Sequence, residues 1–275
     1  MFKTKQISSR IISIQGILHE RMYLVMGQAA AALIDCGSGF GSLSALVRQM
    51  TDKPVLVLLT HGHVDHAMGA KEFSLVYMNR SDIPVFLRHG MPEFRWGVAH
   101  SMAAGKTLKE SDYTQTDDPS RFLDLKDGDI FDLGGVHLDI FSCAGHTPGS
   151  VTVLVREERT LIVGDACSNF TFLAGEESLP VALYEKNLRA MKRKTDGKYG
   201  RVLEAHGTGE LPPDVVEGVL RVCNEIQCGR TDDVPDWFAG HRGVLAKMRV
   251  PHSTARADGK SGNIFYRKGM TGNGE

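Results

Sequence analysis

The chain has 275 residues, of which 42% are hydrophobic, and a formal net charge of −1 at pH 7. This length and composition allow a substantial core in one large or two small globular domains. A charge so close to neutral excludes the strongly basic surface with which proteins bind nucleic acids or anionic membranes, so neither partner is expected. No apolar run reaches membrane-spanning length and the five cysteines form no C-x-x-C pair, which favours a cytoplasmic location.

Short apolar runs that are typical of buried strands recur along the chain. The predicted strands are 23–26, 30–34, 55–59, 75–78, 136–141, 151–155 and 161–163. Helices are predicted at 42–49, at 181–192 and after the two prolines at 212 and 213. Strands outnumber helices, and some follow one another as hairpins. The pattern therefore indicates a mixed α/β fold with β-sheet at its centre.

Two segments look like additions to this core. Residues 88–121 carry few strand signals and a helix-compatible stretch at 93–104, which indicates a helical insertion. From residue 229 onward, glycine, aspartate and arginine interrupt any periodicity, apart from short apolar runs and a final strand at 263–266. We expect substrate specificity to reside in these two segments, because they show the least regular pattern of strands and helices.

We therefore predict one domain at 1–228, including the insertion at about 88–121. The remaining residues, 229–275, are predicted to form a C-terminal extension that packs on the same domain.

The densest chemical signal is a run of three histidines and an aspartate directly after an apolar stretch: His61, His63, Asp65 and His66. Neither a strand nor a helix can direct all four side chains to one point, because the side chains alternate on a strand and fan out around a helix. A loop at the end of a strand can do so, and Gly62 would allow it to turn sharply. The set suits one divalent metal through His61 and His63 and a second through Asp65 and His66.

Three further residues of ligand type stand at turns that follow apolar runs. His146 lies in a turn rich in glycine and proline, Asp165 follows the predicted strand at 161–163, and His206 follows the apolar residues 202–205. Each alone is weak evidence, since a single polar residue at a strand end commonly has a structural hydrogen bond. Loops at one end of a sheet build a common site in α/β proteins, so we expect these residues to converge with the first set.

The pattern His-x-His-x-Asp-His at 61–66, followed by His146, Asp165 and His206, resembles the metal-binding signature of the metallo-β-lactamase-fold hydrolase superfamily. The resemblance spans residues 35–206. It implies a four-layered αββα sandwich, with two mixed β-sheets flanked by helices and a binuclear metal site at their edge.

The resemblance also implies a role for each residue. One metal would be held by His61, His63 and His146, the other by Asp65, His66 and His206, and Asp165 would bridge the two. Asp35 would match an aspartate that orients the metal loop without being a ligand.

Two divalent metal ions are expected, with zinc first and iron or manganese as alternatives, because histidine and carboxylate ligands suit all three. The resemblance implies that a metal-bridging hydroxide attacks the substrate and that Asp65 both binds metal and transfers a proton. The expected function is hydrolysis of an ester, thioester or lactone bond in a small acyl substrate. The alternatives are a phosphodiesterase on the same site, an iron-dependent oxidoreductase similar to persulfide dioxygenases, and a metal-binding sensor; a homo-oligomer is left open.

Departures from individual subfamilies narrow this expectation. Asp165 occupies the bridging position where well-known β-lactamases of the fold carry cysteine or lack a bridge, which argues against antibiotic hydrolysis as the main activity. Acyl-homoserine lactonases place a tyrosine shortly after the bridging aspartate, but residues 166–169 contain none. Residues 207–210, after His206, likewise lack the glutathione-contacting tyrosine of glyoxalase II. The ligand set is similar to that of glyoxalase II, and the subfamily stays unassigned.

Other residues have two interpretations each. An apolar pocket above the metals or ordinary core packing would account for the aromatic residues Phe170, Phe172, Trp237 and Phe238. Three arginines either clamp an anionic substrate or lie solvated at the surface, and the surface interpretation is preferred for each; they are Arg88, Arg95 and Arg242. The histidines without ligand spacing are interpreted as structural; they are His89, His100, His137, His241 and His252.

Overall fold

The structure is a computed structural model that describes residues 2–102, 108–109 and 113–270. The chain divides into two compact units. The first comprises Met1–Ile140 and Val155–Glu158, and the second comprises Phe141–Leu154 and Arg159–Glu275. Among the described residues, no helix is long and apolar enough to cross a membrane.

The first unit is built on a mixed sheet with helices in its connections. Its strands are β1 (Lys3–Gln6), β2 (Ile11–Gln15), β3 (Arg21–Met26), β4 (Ala31–Ile34), β5 (Val55–Leu58), β6 (Val76–Met78), β7 (Leu123–Asp124), β8 (Ile130–Asp132) and the start of β9 (His137–Ser142). Its helices are α1 (Leu43–Met50), α2 (Val64–Ala67), α3 (Ile83–His89) and α4 (Pro92–Met102). Strands β1 to β7 are hydrogen-bonded in chain order, and the pairing is antiparallel up to β4 and parallel from β4 to β7.

The parallel half of this sheet places the site. Helix α1 begins after Ser42, whose side chain accepts a hydrogen bond from the Ala45 N–H group, and it buries Leu43 and Val47 against the sheet. This helix connects β4 to β5, as parallel neighbours require. As a result, the loops that follow β4 and β5 leave the sheet at the same edge.

The predicted insertion contains α4 but only the last two residues of α3, which begins at Ile83, before the predicted start at 88. The predicted helix at 93–104 corresponds to α4, and residues 103 and 104 lie outside the described residues. The expectation that Arg95 is a solvated surface residue is wrong, because it is fully buried.

Carbonyl groups and an aromatic ring accommodate the Arg95 guanidinium. It donates hydrogen bonds to the carbonyl oxygens of Ser38, at 3.0 Å, and Thr114, at 2.7 Å, and it lies 3.7 Å from the centre of the Tyr113 ring. Burial lowers the pKa of Arg95 to about 10. Arg95 therefore links the insertion to the loop after β4, which is a structural role. Because its guanidinium is buried and bonded to these carbonyl groups, it does not form a clamp for an anionic substrate.

The second unit contains the end of β9 and two helices. Its further strands are β10 (Val151–Val155), β11 (Thr160–Gly164), β12 (Thr171–Leu173), β13 (Arg201–Glu204), β14 (Glu210–Leu211), β15 (Val234–Phe238), β16 (His241–Leu245) and β17 (Ile264–Tyr266), and its helices are α5 (Val181–Thr195) and α6 (Val215–Gln227). Strands β14, β13, β11 and β10 lie side by side in that order. Strand β11 is parallel to β13, and β14 is antiparallel to β13.

A separate sheet in this unit was not predicted. Its order is β12, β17, β16 and β15, whereas the resemblance implies only two sheets. Strand β17 confirms the predicted final strand, and it pairs in parallel with β12, about ninety residues earlier. The strands of the predicted extension are therefore joined to residues 171–173 through β17, while residues 271–275 lie outside the described residues. The boundary between residues 228 and 229 stays a prediction.

Candidate metal centre

The first set of candidate ligands is organised by Asp35, which follows β4 directly. The Asp35 N–H group donates to the carbonyl of Leu58 in β5 at 3.0 Å. Its backbone has a φ of 62°, a left-handed conformation that costs energy for residues other than glycine. This strained turn lies beside the loop that follows β5.

The Asp35 carboxylate accepts three hydrogen bonds from that loop. The Thr60 N–H group donates to Oδ1 at 2.7 Å, and both the Thr60 hydroxyl and His66 Nδ1 donate to Oδ2 at 2.8 Å. Because the Thr60 proton points to Asp35, the contact of 3.1 Å between Thr60 Oγ1 and His61 Nδ1 places a proton on His61 Nδ1. Both imidazoles thus carry their proton on Nδ1, and their buried Nε2 atoms present a lone pair, which a metal ligand requires.

The remaining members of this set lie close by. His63 immediately precedes α2, and Asp65 and His66 lie within this four-residue helix. The His61 ring centre is 4.6 Å from that of His63 and 3.9 Å from that of His66. The distance between His66 Nε2 and Asp65 Oδ2 is 3.7 Å. Each of these four residues also belongs to a group of side chains that could hold a metal ion.

Gly62 meets a different requirement from the predicted sharp turn. It is not among the residues with a positive φ. A Cβ atom at this position would lie 2.8 Å from both the Asp82 carbonyl oxygen and the Phe86 nitrogen. The Gly62 N–H group also donates to the Asp82 carboxylate at 2.7 Å. Close packing of the metal loop against the start of α3 therefore demands glycine here.

In the second unit, strand pairing brings Asp165 and His206 together. Strands β11 and β13 are parallel, with Gly164 opposite Glu204, so the residues after each strand emerge side by side. Asp165 Oδ2 lies 3.2 Å from His206 Nε2 and 3.8 Å from His146 Nε2. One carboxylate oxygen thus stands between two imidazole nitrogens, as a shared ligand would.

His146 is held by its own turn and by β12. Its Nδ1 atom donates to the Phe172 carbonyl oxygen at 2.8 Å, which leaves the lone pair on Nε2. The buried Tyr184 supports this turn, because its ring occupies the space that a side chain on Gly145 would need. The Tyr184 hydroxyl donates to the Ala166 carbonyl at 2.7 Å, next to Asp165. Tyr184 therefore positions the turns of both His146 and Asp165.

Tyr184 was missed although the sequence contained its signal. On the predicted helix at 181–192, Leu183, Leu188 and Met191 are expected near one face, but Leu183 is exposed. The buried residues of α5 are Val181, Tyr184, Leu188, Met191 and Thr195, so Leu188 and Met191 lie on the buried face as expected. Their spacing of three and four residues is the helical period, and it would have identified the tyrosine.

His89 was interpreted as structural, but it contacts the metal loop. Its ring stacks on His63 with a centre distance of 4.3 Å and an angle of 14°. Its Nδ1 atom accepts a hydrogen bond from the Val64 N–H group at 3.3 Å. No spacing in the sequence indicated this, because the contact depends on how α3 packs beside the loop.

Each of the predicted metal ligands belongs to a group of His and Asp atoms close enough together to hold an ion. The predicted ligands are His61, His63, Asp65, His66, His146, Asp165 and His206. The assignment of each to a particular metal stays a prediction.

The comparisons with known proteins agree with this chemistry. The model of the metallo-β-lactamase superfamily matches residues 18–206. The probable metallo-hydrolase YqgX of Bacillus subtilis (strain 168) is 27% identical over 198 residues, which cover 70% of this chain and 87% of that protein. The acyl-coenzyme A thioesterase MBLAC2 of Gallus gallus is 28% identical over 183 residues, which cover 60% of this chain and 65% of that relative, just under two-thirds of its length.

Among solved structures, a metallo-β-lactamase from Pontibacter korlensis aligns with 80% of this chain and 98% of its own, with a TM-score of 0.57 and 16% identity. The family model and the metallo-hydrolase relatives show an enzyme of this superfamily, and the His/Asp cluster fits a metal site. The chain belongs to the metallo-β-lactamase superfamily. The predicted fold class and the prediction of an enzyme are thereby confirmed.

Proposed function

We propose that the two ligand sets together hold two divalent metal ions and that the enzyme cleaves an ester, thioester or lactone bond of a small acyl substrate. In this proposal His61, His63 and His146 hold one ion. The other is held by Asp65, His66 and His206, and Asp165 is shared between them.

The observation that carries the proposal is the set of fixed imidazole tautomers. Asp35, directly and through Thr60, keeps the protons of His66 and His61 on Nδ1. The Phe172 carbonyl does the same for His146. Packing alone does not require that separate loops all present the Nε2 lone pair, whereas metal binding does. Neutral imidazoles with two carboxylates suit zinc, which we propose as the resident metal, and they also suit iron and manganese.

When bound, such metals act as Lewis acids and lower the pKa of water to about 7, so that hydroxide is available near neutral pH. The chain contributes the geometry and the proton transfer. Asp65 is the residue that we assign to accept the proton that the attacking hydroxide still carries and to pass it to the leaving group. Its side chain is 14% exposed, so it can exchange a proton with solvent between turnovers.

Thioesters are the first substrates to test. The similarity to a protein named as an acyl-coenzyme A thioesterase supports this choice within the acyl class. The same ligand set could serve a phosphodiesterase, so the two classes must be assayed together.

The test is metal analysis of the purified protein followed by a substrate panel assayed with the metal that is found. The panel contains a thioester, an ester, a lactone, a phosphodiester and a β-lactam. We expect two metal ions per chain and turnover of an acyl substrate. His206→Ala should lose metal and activity, while the matched control His100→Ala, at an exposed position of α4, should keep both.

Two results would overturn the proposal. One is a protein that binds two metals per chain but hydrolyses nothing in the panel. The other is oxygen uptake with a glutathione persulfide in place of hydrolysis, which would establish the oxidoreductase alternative.

A further inference from the structure

An aromatic surface adjoins His146 within the second unit. We call Phe170, Phe172, Phe238 and His241 the aromatic face. The carbonyl of Phe172 accepts the hydrogen bond from His146 Nδ1, and the Phe172 ring centre lies 6.0 Å from the His146 ring centre. The face therefore begins at a predicted metal ligand.

The face extends from Phe172 onto the β15–β16 hairpin. The Phe238 ring centre is 5.8 Å from that of Phe172 and 4.9 Å from that of Phe170. His241, opposite Phe238 in the hairpin, is 5.6 Å from Phe172. Beneath them the fully buried Phe265 stacks on Phe170 and Phe172 at 5.7 and 5.6 Å. The strands that carry these rings are paired, so the face is held in place.

The outer part of this face is open to solvent. Phe265 is buried, Phe170 and Phe172 are partly exposed, and Phe238 is 45% exposed. Covering exposed aromatic carbon with an apolar group is favourable, because it removes apolar surface from water. Such a surface beside a reactive centre is typical of a ligand-binding site. Arg249, whose guanidinium carbon lies 5.8 Å from the Phe170 ring centre, is paired with Asp236 at 2.9 Å. The exposed aromatic rings therefore favour an apolar ligand.

The hairpin also supplies an internal control. Directly paired residues of an antiparallel hairpin lie on the same face, and Phe238 pairs with His241 while Trp237 pairs with Arg242. Trp237 therefore points to the opposite side, where Arg242 lies 5.4 Å from its ring centre. Two neighbouring, exposed aromatic residues thus differ mainly in the side of the hairpin that they occupy.

We propose that the aromatic face binds the acyl chain of the substrate, so that the enzyme prefers medium-length apolar acyl groups to acetyl. This proposal rests on the proposed function, because it assumes an acyl carbonyl at the metal centre near His146. A chain leaving that carbonyl would pass over Phe172 and reach Phe238, through steps of 6.0 and 5.8 Å between ring centres. An octanoyl chain, unlike an acetyl group, is long enough to cover Phe172 and to contact the nearer edge of the Phe238 ring.

The kinetic test compares the acetyl and octanoyl thioesters of N-acetylcysteamine, which share one small leaving group. We expect the wild type to have the higher kcat/KM for octanoyl, because each buried methylene strengthens binding about fourfold. Phe238→Ala should lower kcat/KM for octanoyl about tenfold and leave acetyl unchanged. Trp237→Ala should leave both unchanged, and Phe238→Leu should recover most of the loss.

A binding measurement separates this proposal from the proposed function. Non-hydrolysable ketone analogues, in which a methylene replaces the thioester sulfur, are titrated calorimetrically into wild type, Phe238→Ala and Trp237→Ala at equal metal content. Weaker binding of the octanoyl analogue to Phe238→Ala alone supports the aromatic face, even if neither thioester is hydrolysed and the proposed function fails. Equal binding of acetyl and octanoyl analogues by the wild type, or equal losses in the two variants, would overturn the proposal.

Discussion

The two sets of candidate ligands are built in different ways. In the first unit, His61, His63 and His66 are buried, and Asp35 controls two of them through one hydrogen-bond network. In the second unit, the side chains of Asp165 and His206 are 21% and 36% exposed. The paired ends of β11 and β13 position these two residues.

This difference shows two ways to hold a histidine or aspartate ligand in place before metal binds. One is a hydrogen-bond network between side chains, and the other is the register of paired strands. A network couples its members, so a single change should disturb several ligands at once. Strand register places each residue through the backbone, so a side-chain change should act locally. The following substitutions test this contrast.

The largest effect is expected from Asp165→Asn. The change keeps the side-chain shape but removes the negative charge beside the Nε2 atoms of His146 and His206. Because Asp165 is proposed as a shared ligand, the loss of activity should exceed the 10–100-fold range that follows loss of an outer carboxylate partner. Metal analysis and kcat/KM measure it, and Asp196→Asn, at the exposed end of α5, is the control. If the Asp165→Asn variant kept full metal content and full activity, Asp165 would not be a metal ligand.

Asp35→Asn should have the next largest effect. An amide nitrogen in the place of Oδ2 cannot accept hydrogen bonds from the Thr60 hydroxyl and His66 Nδ1. His66 would lose its fixed tautomer directly, and His61 would lose it through Thr60. We expect metal affinity to fall about 10–100-fold, measured by competition with a chelator. Asparagine tolerates the positive φ of this position better than alanine does, so the fold should survive.

The exposed Asp52 supplies the matched control as Asp52→Asn. If Asp35→Asn weakened binding of only one of two metals, the first set would not be coupled, and its contrast with the second set would disappear.

A smaller effect is expected at His89. His89→Phe keeps a ring beside His63 but leaves the Val64 N–H group without its acceptor, at a cost of about 1–3 kcal/mol. His89→Asn keeps an acceptor and loses the stack. We expect about tenfold weaker metal binding for the phenylalanine variant and a smaller change for the asparagine variant. Wild-type affinity in both would show that His89 only fills space.

The same contrast explains how much of the molecule the sequence could predict. Strands β5 and β11 were predicted because buried parallel strands are continuous apolar runs. Strand β1 is exposed along its length, and β15 contains Pro235, which only an edge strand tolerates. Neither carries the apolar pattern, because both lie at sheet edges.

Site prediction had a similar limit. The ligand types and their spacing were visible because the metal requires them. Partners that act through tertiary packing were not visible, and Arg95 and His89 are examples. A guanidinium that donates to the carbonyls of Ser38 and Thr114, or an imidazole stacked on His63, has acceptors and neighbours that only the folded chain brings together.

The smallest effect concerns Glu20, which supports the loop after β4 in the first unit. Its buried Oε1 atom accepts hydrogen bonds from the Ser38 N–H and hydroxyl groups, and burial raises the pKa of this carboxyl above its usual value. A raised pKa means that the folded state binds the proton more tightly, so this stabilisation is present below about pH 4.5 and is lost as the pH rises through the folded-state pKa. Glu20→Gln keeps an acceptor and cannot ionise, so its Tm relative to wild type should rise as the pH is raised above about 4.5, measured at constant metal content. The exposed Glu210→Gln should show no such trend, and parallel curves for Glu20→Gln and wild type would mean that the Glu20 carboxyl does not change its protonation in this range.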